Sequence, residues 1–388
     1  MLHFVFVLIM PWLLALLLTP GVIRAAHRTG WLDMPGDRKH HPEPVALLGG
    51  VVIFASSALG LALAMILSPP IREILIASEH MYPFAVMVSG GLAMLVMGAI
   101  DDRQDLRAVT KLLIQLAIAA FTWYGGFRIG VVELPFGWFT VDGVIPSFLM
   151  TVGWIVLITN AFNLIDGMDG LSTGTGIIVV LTLFILGTAH RESVAVIASL
   201  SLAGSMAGLL RFNVPPARIY LGDGGAYLIG YSSAVLGIAC TQKSSAAMVV
   251  AVPLLALGLP LLDTVFAVVR RAIAYLRHTQ VRELGVRGVV NALFKPDRGH
   301  IHHLLLRSGW STRQALYSIY LVSLVLASVA LWTQGLSSNI RWLIVIATVG
   351  AGFVAIRVFE GRLDARDREL TDTSADEHAA SSTRRAAG

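Results

Sequence analysis

The amino-acid sequence predicts an all-α integral membrane protein with about eleven transmembrane helices. Of its 388 residues, 56% are hydrophobic and 14% are charged, and the mean hydropathy is +0.74. These values lie outside the usual range of soluble domains. A series of apolar stretches, each close to the roughly 20 residues that a helix needs to cross a bilayer, gives the number of helices. The uneven distribution of basic residues between alternate loops gives their orientation.

Eleven apolar stretches come close to the required length. They span residues 2–23, 46–68, 81–100, 109–127, 144–165, 173–189, 193–211, 225–241, 245–269, 314–333 and 341–358. The sixth and eighth are short and contain glycine. The first has no basic segment before it, as a cleaved secretory signal would have, so we predict that it is retained as a span.

The Lys and Arg residues are concentrated on one side of the predicted membrane. Alternate loops and the C-terminal segment together hold 24 of the 29. Because basic loops are retained in the cytoplasm, this set is predicted to lie inside. The N-terminus is then outside and the C-terminus is cytoplasmic.

Residues 1–358 are predicted to form a single transmembrane domain. Its cytoplasmic loops are 24–45, 101–111, 160–172, 211–225 and 270–313. The chain beyond Glu360 is charged, rich in Ser, Thr and Ala, and free of aromatic residues, so we predict that residues 359–388 form a disordered cytoplasmic tail. The single cysteine, Cys240, excludes an internal disulfide and a zinc-type cysteine cluster.

Polar side chains collect in these loops, in five clusters. The clusters are Lys39–His41 followed by Gly49–Gly50, Asp101–Asp105, Asn160–Leu171, Leu221–Gly225 and Pro296–His303. Polar groups beside lipid are expensive, so a run with two amides and two acids, such as Asn160–Leu171, indicates function rather than a simple helix end. If this run is helical, Asn160, Asn163 and Asp166 share one face.

Simpler explanations stay open for several of these residues taken alone. The pair Asp101–Asp102 is compatible with an acidic helix end at the membrane surface, and Lys39 with a loop cation that sets orientation. The Gly222–Gly224 run is compatible with an ordinary turn. Gly49 and Gly50 favour close helix packing over ligand contact.

The longest cytoplasmic loop carries three histidines, His300, His302 and His303, beside Arg298. Neighbouring histidines are often only solvated, and metal binding is a sharper alternative. Because these three lack the i,i+4 spacing of a helical zinc site, we favour a positive patch that contacts phosphate.

Acidic clusters flanked by basic residues suit a site for phosphorylated substrates. Carboxylates alone would repel phosphates, whereas Mg²⁺ binds one or two carboxylates together with substrate phosphates. Asp223 stands at a predicted helix start, where free backbone N–H groups can also meet phosphate. The sequence therefore favours a magnesium-dependent site that handles phosphate.

Four of these motifs, in this order, resemble the polyprenyl-phosphate N-acetylhexosamine-1-phosphate transferases, the superfamily that also holds the muramyl-pentapeptide phosphotransferase. They are Asp101–Asp102, NAFNLIDGMDGL (Asn160–Leu171), YLGDGGAYLIG (Tyr220–Gly230) and PDRGHIHHLLL (Pro296–Leu306). The similarity covers about residues 31–313. The HIHH sequence resembles the N-acetylglucosamine branch. Gly225 departs from the family pattern, in which many members have Ser.

The resemblance implies transfer of N-acetylglucosamine 1-phosphate (GlcNAc-1-phosphate) from UDP-GlcNAc to undecaprenyl phosphate, with release of UMP. This would be the first membrane step of a cell-envelope polysaccharide. The resemblance also implies Mg²⁺, with Mn²⁺ as a substitute, and a catalytic domain over 1–358 in the inner (plasma) membrane whose site faces the cytoplasm. No nucleic-acid partner is expected, and a homodimer stays open.

The resemblance further implies roles for individual residues. The catalytic residues would be Asp101, Asp102, Asp166, Asp169, His300, His302 and His303. The substrate-binding residues would be Lys39, Lys111, Asn160, Asn163 and Arg298. The metal ligands would be Asp223 and Asp102. Whether Asp101 or Asp102 acts as a base stays open, because a lipid phosphate is already largely ionised.

Three alternatives remain beside this function. The donor could be another UDP-N-acetylhexosamine or UDP-MurNAc-pentapeptide. The chain could instead be a secondary transporter, since buried acids also mark ion pathways. Transporter sites lie near the midplane between inverted repeats, however, whereas these acids lie at the ends of predicted spans. A silent scaffold that binds lipid phosphate through residues 270–313 is disfavoured by the retention of all four motifs.

Overall fold

A computed structural model describes residues 2–34, 43–134, 137–140, 143–242 and 301–386. The helices of these ranges are α1 (Leu2–Thr29), α2 (Gly49–Leu67), α3 (Pro69–Ile76), α4 (Ser78–Gln104), α5 (Ala108–Tyr124), α6 (Val144–Ile165), α7 (Leu171–Ala189), α8 (Ser193–Asn213), α9 (Gly222–Gln242), α10 (Ile301–Arg307), α11 (Thr312–Trp332) and α12 (Ser338–Ala386). Two small antiparallel hairpins pair β1 (Leu32–Asp33) with β2 (Val45–Ala46) and β3 (Val131–Leu134) with β4 (Gly137–Thr140). The predicted all-α class is confirmed, with these two hairpins as additions.

Eight of the described helices are long and apolar enough to cross a membrane. They are α1, α2, α4, α6, α7, α8, α11 and the first half of α12. The chain is therefore a multi-pass membrane protein. Helix α5 is apolar but shorter, with 17 residues, and the predicted span 245–269 lies outside the described residues. The count of eleven and the orientation stay predictions.

Helix α9 lies at the centre of the bundle. It packs against α2, α4, α6 and α7, and nearly all of its side chains are buried, including Tyr227 and Tyr231. Its sequence is rich in glycine, alanine and serine, which let neighbouring backbones approach closely. Because α9 meets protein rather than lipid, it needs few large apolar side chains. This explains why its sequence resembles a short, glycine-containing span.

Small residues also bring α1 and α8 together. Gly204 and Gly208 lie on one face of α8, and a Cβ atom on Gly208 would lie 2.6 Å from the Cβ of Ala15 in α1. This is the close contact that glycines four residues apart permit between membrane helices.

The start of α11 is fixed by a capping box, in which Ser311 and Gln314 exchange hydrogen bonds with each other's backbone.

Glycines 49 and 50 serve backbone packing, as predicted. Their N–H groups donate to the carbonyl oxygens of Tyr220 and Leu221, each at 3.0 Å. A Cβ atom on Gly50 would lie 2.5 Å from the Cα of Gly225, and one on Gly225 would lie 2.6 Å from the Leu221 side chain. In this chain, the glycine that departs from the family pattern therefore stands where a larger residue would collide.

The C-terminal helix differs from the predicted tail. Helix α12 runs without a break from Ser338 to Ala386, so the backbone of residues 359–386 is helical. That this segment forms a separate cytoplasmic tail stays a prediction. Alanine and arginine, the two most frequent residues there, have high intrinsic helix propensity. A single helix can form without burying much apolar surface.

Helices α4 and α9 cross at a glycine contact next to the polar loops. A Cβ atom on Gly98 of α4 would lie 2.6 Å from the backbone carbon of Asp223, and one on Gly224 of α9 would lie 2.7 Å from the carbonyl oxygen of Leu95. Backbone meets backbone at this point. The end of α4, with its acidic residues, therefore lies directly against the start of α9.

The Gly98→Ala substitution is expected to lower the apparent melting temperature of the detergent-solubilised protein. The added methyl group forces α4 and α9 apart, and overpacking of this kind costs about 1–3 kcal/mol. Gly153→Ala is the matched control, because a Cβ atom there meets nothing within 4 Å; the control should melt at or slightly above the wild-type temperature. Equal melting of Gly98→Ala and wild type would contradict the close contact.

Candidate active site

Asp101 is a buried acid held on both of its carboxylate oxygens. It lies near the end of α4 and is 4% exposed. Its Oδ2 atom lies 2.6 Å from Nζ of Lys111, in the first turn of α5, and its Oδ1 atom accepts the N–H of Leu106 at 2.9 Å. The predicted cation Lys111 is thus paired with a predicted acid, across the short loop between α4 and α5.

Asp102 caps the start of the central helix. Its Oδ1 atom accepts the backbone N–H of Asp223 at 2.9 Å, and its carboxylate also accepts the N–H of Gly224. Gly222 has a φ of +71°, which favours glycine, and a Cβ atom there would lie 2.7 Å from Oδ2 of Asp102. The prediction that these two N–H groups are free to meet phosphate is therefore wrong, because a carboxylate from another helix occupies them.

Asp223 is oriented by an amide and crowded by another acid. Nδ2 of Asn163, near the end of α6, donates to Oδ1 of Asp223 at 2.9 Å. Burial, followed by the neighbouring Asp101 carboxylate, raises the pKa of Asp223 to about 7. Two carboxylates this close need a shared proton or a cation between them. Residues from α4, α6 and α9 therefore converge, as the sequence predicted.

Asp166 and Asp169 lie in the loop between α6 and α7. Burial, followed by the negative charges of Asp223, Asp102 and Asp169, raises the pKa of Asp166 well above its ordinary value. Asp169 Oδ2 accepts the N–H of Ala217 at 2.9 Å and so ties this loop to the one between α8 and α9. Asp166 thus belongs to the acidic cluster, and Asp169 joins two loops beside it.

The side chain of Asn160 is hydrogen-bonded to another amide side chain and not to the acids. Its Nδ2 atom donates to Oε1 of Gln115 in α5 at 2.6 Å and to the carbonyl oxygen of Val156 at 2.8 Å. Sequence reasoning missed Gln115, which is 1% exposed. Two features of the sequence could have indicated it. Gln115 is a polar residue inside the apolar stretch 109–127, and it follows Lys111 by four positions, which places both on the same helix face.

Two of the three predicted histidines, His302 and His303, have their backbone in α10. This helix contacts α11 and α12. Its residues Leu305 and Leu306 pack against an apolar cluster that joins Met168 and Leu171, which flank Asp169, to Ala315, Leu316 and Ile319 of α11. The side chains of these two histidines, and the whole of Lys39, Arg298 and His300, lie outside the described part of the chain.

Helix α11 is fixed to the same loops. The hydroxyl of Tyr320 donates to the carbonyl oxygen of Gly170 at 2.5 Å, and the guanidinium of Arg313 donates to that of Pro215 at 3.1 Å. Gly170 has a φ of +77° and precedes α7. Helix α11 therefore holds both the α6–α7 loop, which carries Asp166 and Asp169, and the α8–α9 loop.

The acids and amides described above coincide with a region shared with known proteins. The profile of Glycosyl transferase family 4 matches residues 84–241. A Bacillus subtilis protein named "Probable undecaprenyl-phosphate N-acetylglucosaminyl 1-phosphate transferase" is 31% identical, over 86% of this chain and 87% of its own length. The chain belongs to glycosyl transferase family 4. Its membership confirms the resemblance to the polyprenyl-phosphate N-acetylhexosamine-1-phosphate transferases.

Other relatives of this family 4 chain have related names. The decaprenyl-phosphate N-acetylglucosaminephosphotransferase of Mycolicibacterium smegmatis is 33% identical, over 76% of this chain and 73% of the relative. The undecaprenyl-phosphate alpha-N-acetylglucosaminyl 1-phosphate transferase of Escherichia coli K12 is 27% identical, over 85% and 84%. All three names combine a polyprenyl phosphate with N-acetylglucosamine.

The crowding of Asp166 predicts that its neutralisation stabilises the protein. A raised pKa means that ionising Asp166 costs more in the folded than in the unfolded state, so folded stability falls as pH rises from the ordinary value, about 3.9, through the raised one. Asp166→Asn removes this cost. In EDTA the variant should melt above wild type at pH 8, and the difference should vanish near pH 4.

Asp105→Asn is the control for this comparison. Asp105 is exposed, follows α4 and has a φ of 47°, a conformation that asparagine also adopts readily. This variant should have the same melting temperature as wild type at both pH values. A lower melting temperature of Asp166→Asn at pH 8 would show that the charge on Asp166 stabilises the fold, contrary to this account.

Proposed function

We propose that this chain transfers GlcNAc-1-phosphate from UDP-GlcNAc to undecaprenyl phosphate, giving undecaprenyl-diphosphate-GlcNAc and UMP. The names of the family 4 relatives support the sugar and the type of lipid. The HIHH sequence of residues 300–303 supports the N-acetylglucosamine branch. The basic loops support a position in the inner (plasma) membrane with the site facing the cytoplasm.

The observation that carries this proposal is the convergence of carboxylates from three helices at one end of the bundle. Asp101 and Asp102 end α4, Asp166 follows α6, and Asp223 begins α9. A site that joins a soluble donor to a lipid acceptor must lie where water and lipid headgroups meet. Transporter acids lie near the midplane, so this position favours the enzyme over the transporter.

The donor atoms of this cluster suit a magnesium ion. They are carboxylate oxygens, and the closeness of Asp101 and Asp223 calls for a cation between or beside them. In the described part of the chain, no three His, Cys, Asp or Glu side chains are arranged to hold a metal by themselves. Mg²⁺ needs fewer, because it takes one or two carboxylates and completes its shell with water and substrate phosphates.

We assign Asp223 and Asp102 as the residues that would hold Mg²⁺, with Mn²⁺ as a substitute. When bound, the ion would neutralise the pyrophosphate and polarise the phosphorus under attack. Asn163 orients Asp223 through its hydrogen bond, and Asp102 fixes the start of α9 through Oδ1. These contacts hold the two ligands in place before any substrate arrives.

The reaction we propose is a direct in-line displacement. An oxygen of the lipid phosphate forms a bond to the β-phosphorus of UDP-GlcNAc, and the bond from that phosphorus to the bridging oxygen breaks, so that UMP leaves. The lipid phosphate is already ionised and needs no base. Asp101, engaged by Lys111 and Leu106, is poorly placed to act as one. Positioning and charge neutralisation would supply most of the acceleration.

Purified protein with Mg²⁺, undecaprenyl phosphate and a panel of UDP-sugars should release UMP with UDP-GlcNAc. EDTA, or Asp223→Asn, should reduce this activity by about 100-fold or more, as expected when a charge-stabilising group is lost. Asp105→Asn should retain it. Activity in EDTA equal to that in Mg²⁺ would overturn the metal assignment. Preference for UDP-MurNAc-pentapeptide or another UDP-N-acetylhexosamine would overturn the assignment of UDP-GlcNAc as the donor.

The direct route can be tested separately from the donor. Incubation with UDP-GlcNAc labelled on the β-phosphate, without lipid, should leave no label on the protein, because the account has no covalent intermediate. Acid-stable label on an aspartate would instead support the two-step route. Asp223→Asn serves as the background for non-specific labelling.

A further inference from the structure

A pair of amide side chains joins α5 to α6 close to the acids. Asn160 donates to Oε1 of Gln115 at 2.6 Å, and Gln115 donates back to Oδ1 of Asn160 at 3.4 Å. Gln115 is buried within a mostly apolar helix. Both N–H groups of the Asn160 amide are used, because the second bonds the carbonyl oxygen of Val156.

Each member of the pair stands one helical turn from a residue that contacts an acid. Lys111 precedes Gln115 by four positions on the same face of α5, and Asn163 follows Asn160 by three on α6. Lys111 lies 2.6 Å from Asp101, whereas Asn163 donates to Asp223. The rise between Lys111 and Gln115 is about 6 Å. The amide pair therefore lies directly beneath the layer in which the acids are held.

The other end of the α5–α6 contact is fixed by different side chains. The indole N–H of Trp123 donates to Oγ of Ser147 at 3.3 Å, and its ring packs edge-on against Phe148, with centroids 5.3 Å apart. The far ends of both helices are thus held by aromatic packing. Near the acids, the amide pair sets how far α5 is shifted and rotated against α6.

We propose that Gln115 is a positioning residue whose amide bonds to Asn160 hold α5 so that Lys111 faces Asp101. The proposal rests on the proposed function and deepens it. It also gives Asn160 a role other than the predicted substrate contact, because its polar atoms are engaged by Gln115 and Val156. Gln115 acts through Lys111 and does not itself touch the reacting atoms.

Removal of one partner should impair turnover more than donor binding. Gln115→Ala is expected to lower kcat by about 10- to 100-fold, because a misplacement near 1 Å can cost about 100-fold, and to change the KM for UDP-GlcNAc less than threefold. The double variant Gln115→Asn, Asn160→Gln again pairs one longer with one shorter amide side chain, and it should recover most of the lost kcat. No recovery by the exchange would contradict the role of the pair.

Thr122→Val is the matched control on the same helix. Thr122 is buried and shares a 2.9 Å hydrogen bond with the Tyr231 hydroxyl of α9. It lies about two turns farther along α5 from Lys111 than Gln115 does. Its loss should lower the melting temperature but leave kcat within about twofold of wild type. If Gln115→Ala behaves in the same way, Gln115 is merely structural and the proposal fails.

A double-mutant cycle with Lys111→Met tests the link between the two residues. If Gln115 acts through Lys111, Gln115→Ala should reduce kcat much less in the Lys111→Met background than in wild type. The same non-additivity should appear in apparent melting temperatures, since a released α5 also weakens the Lys111–Asp101 pair. Fully multiplicative rate effects together with additive melting shifts would overturn the inference.

The two readouts also separate this inference from the proposed function. Release of UMP by the wild-type protein tests the function, before any variant is compared. The melting cycle tests the coupling of Gln115 to Lys111 and does not depend on turnover or on the identity of the donor. Coupled melting without UMP release would overturn the proposed function and support only the coupling of Gln115 to Lys111. UMP release with uncoupled melting temperatures and rates would support the function and overturn the inference.

Discussion

The structure depends on the contact between the Asp102 carboxylate and the first N–H groups of α9. A helix that begins inside a membrane protein must satisfy its unpaired N–H groups, and here a charged side chain from α4 does so. The contact requires α4 and α9 to approach at backbone distance, which Gly98 and Gly224 permit. It also brings Asp101 to Asp223. One interaction thus sets the position of the central helix and the spacing of the acids.

This arrangement concentrates negative charge at a cost in stability. Asp101, Asp102, Asp166 and Asp223 crowd one end of the bundle, and Lys111 is paired with one of them. A carboxylate cluster of this kind is stable only with protons, cations or compensating packing. The glycine contacts of α4 and α9 and the amide pair of α5 and α6 supply packing. The remaining negative charge is what would attract a divalent cation and, with it, phosphorylated substrates. The charge that destabilises the fold would therefore also bind the ion.

Sequence reasoning recovered most of the long apolar helices and the convergence of Asp101, Asp102, Asp166 and Asp223. The stretch 144–165 coincides with α6, because long apolar runs between polar loops are unambiguous. Helix α9 was harder, since a buried helix in a membrane protein needs small residues rather than apolar ones. The pairing of Asn160 with Gln115 and the occupied N–H groups of α9 depend on the register between helices distant in sequence. No local pattern encodes that register.

The central claim is that Asp102 of α4 and Asp223 of α9 bind a divalent ion together with the nucleotide donor, and Mn²⁺ binding measures it most directly. Electron paramagnetic resonance of the purified protein with sub-stoichiometric Mn²⁺ should show a bound signal that strengthens when UDP-GlcNAc is added, because ion and pyrophosphate share ligands. Asp223→Asn should abolish the bound signal, and Asp105→Asn should preserve it. An unchanged bound signal in Asp223→Asn, or none in wild type with donor present, would contradict the account.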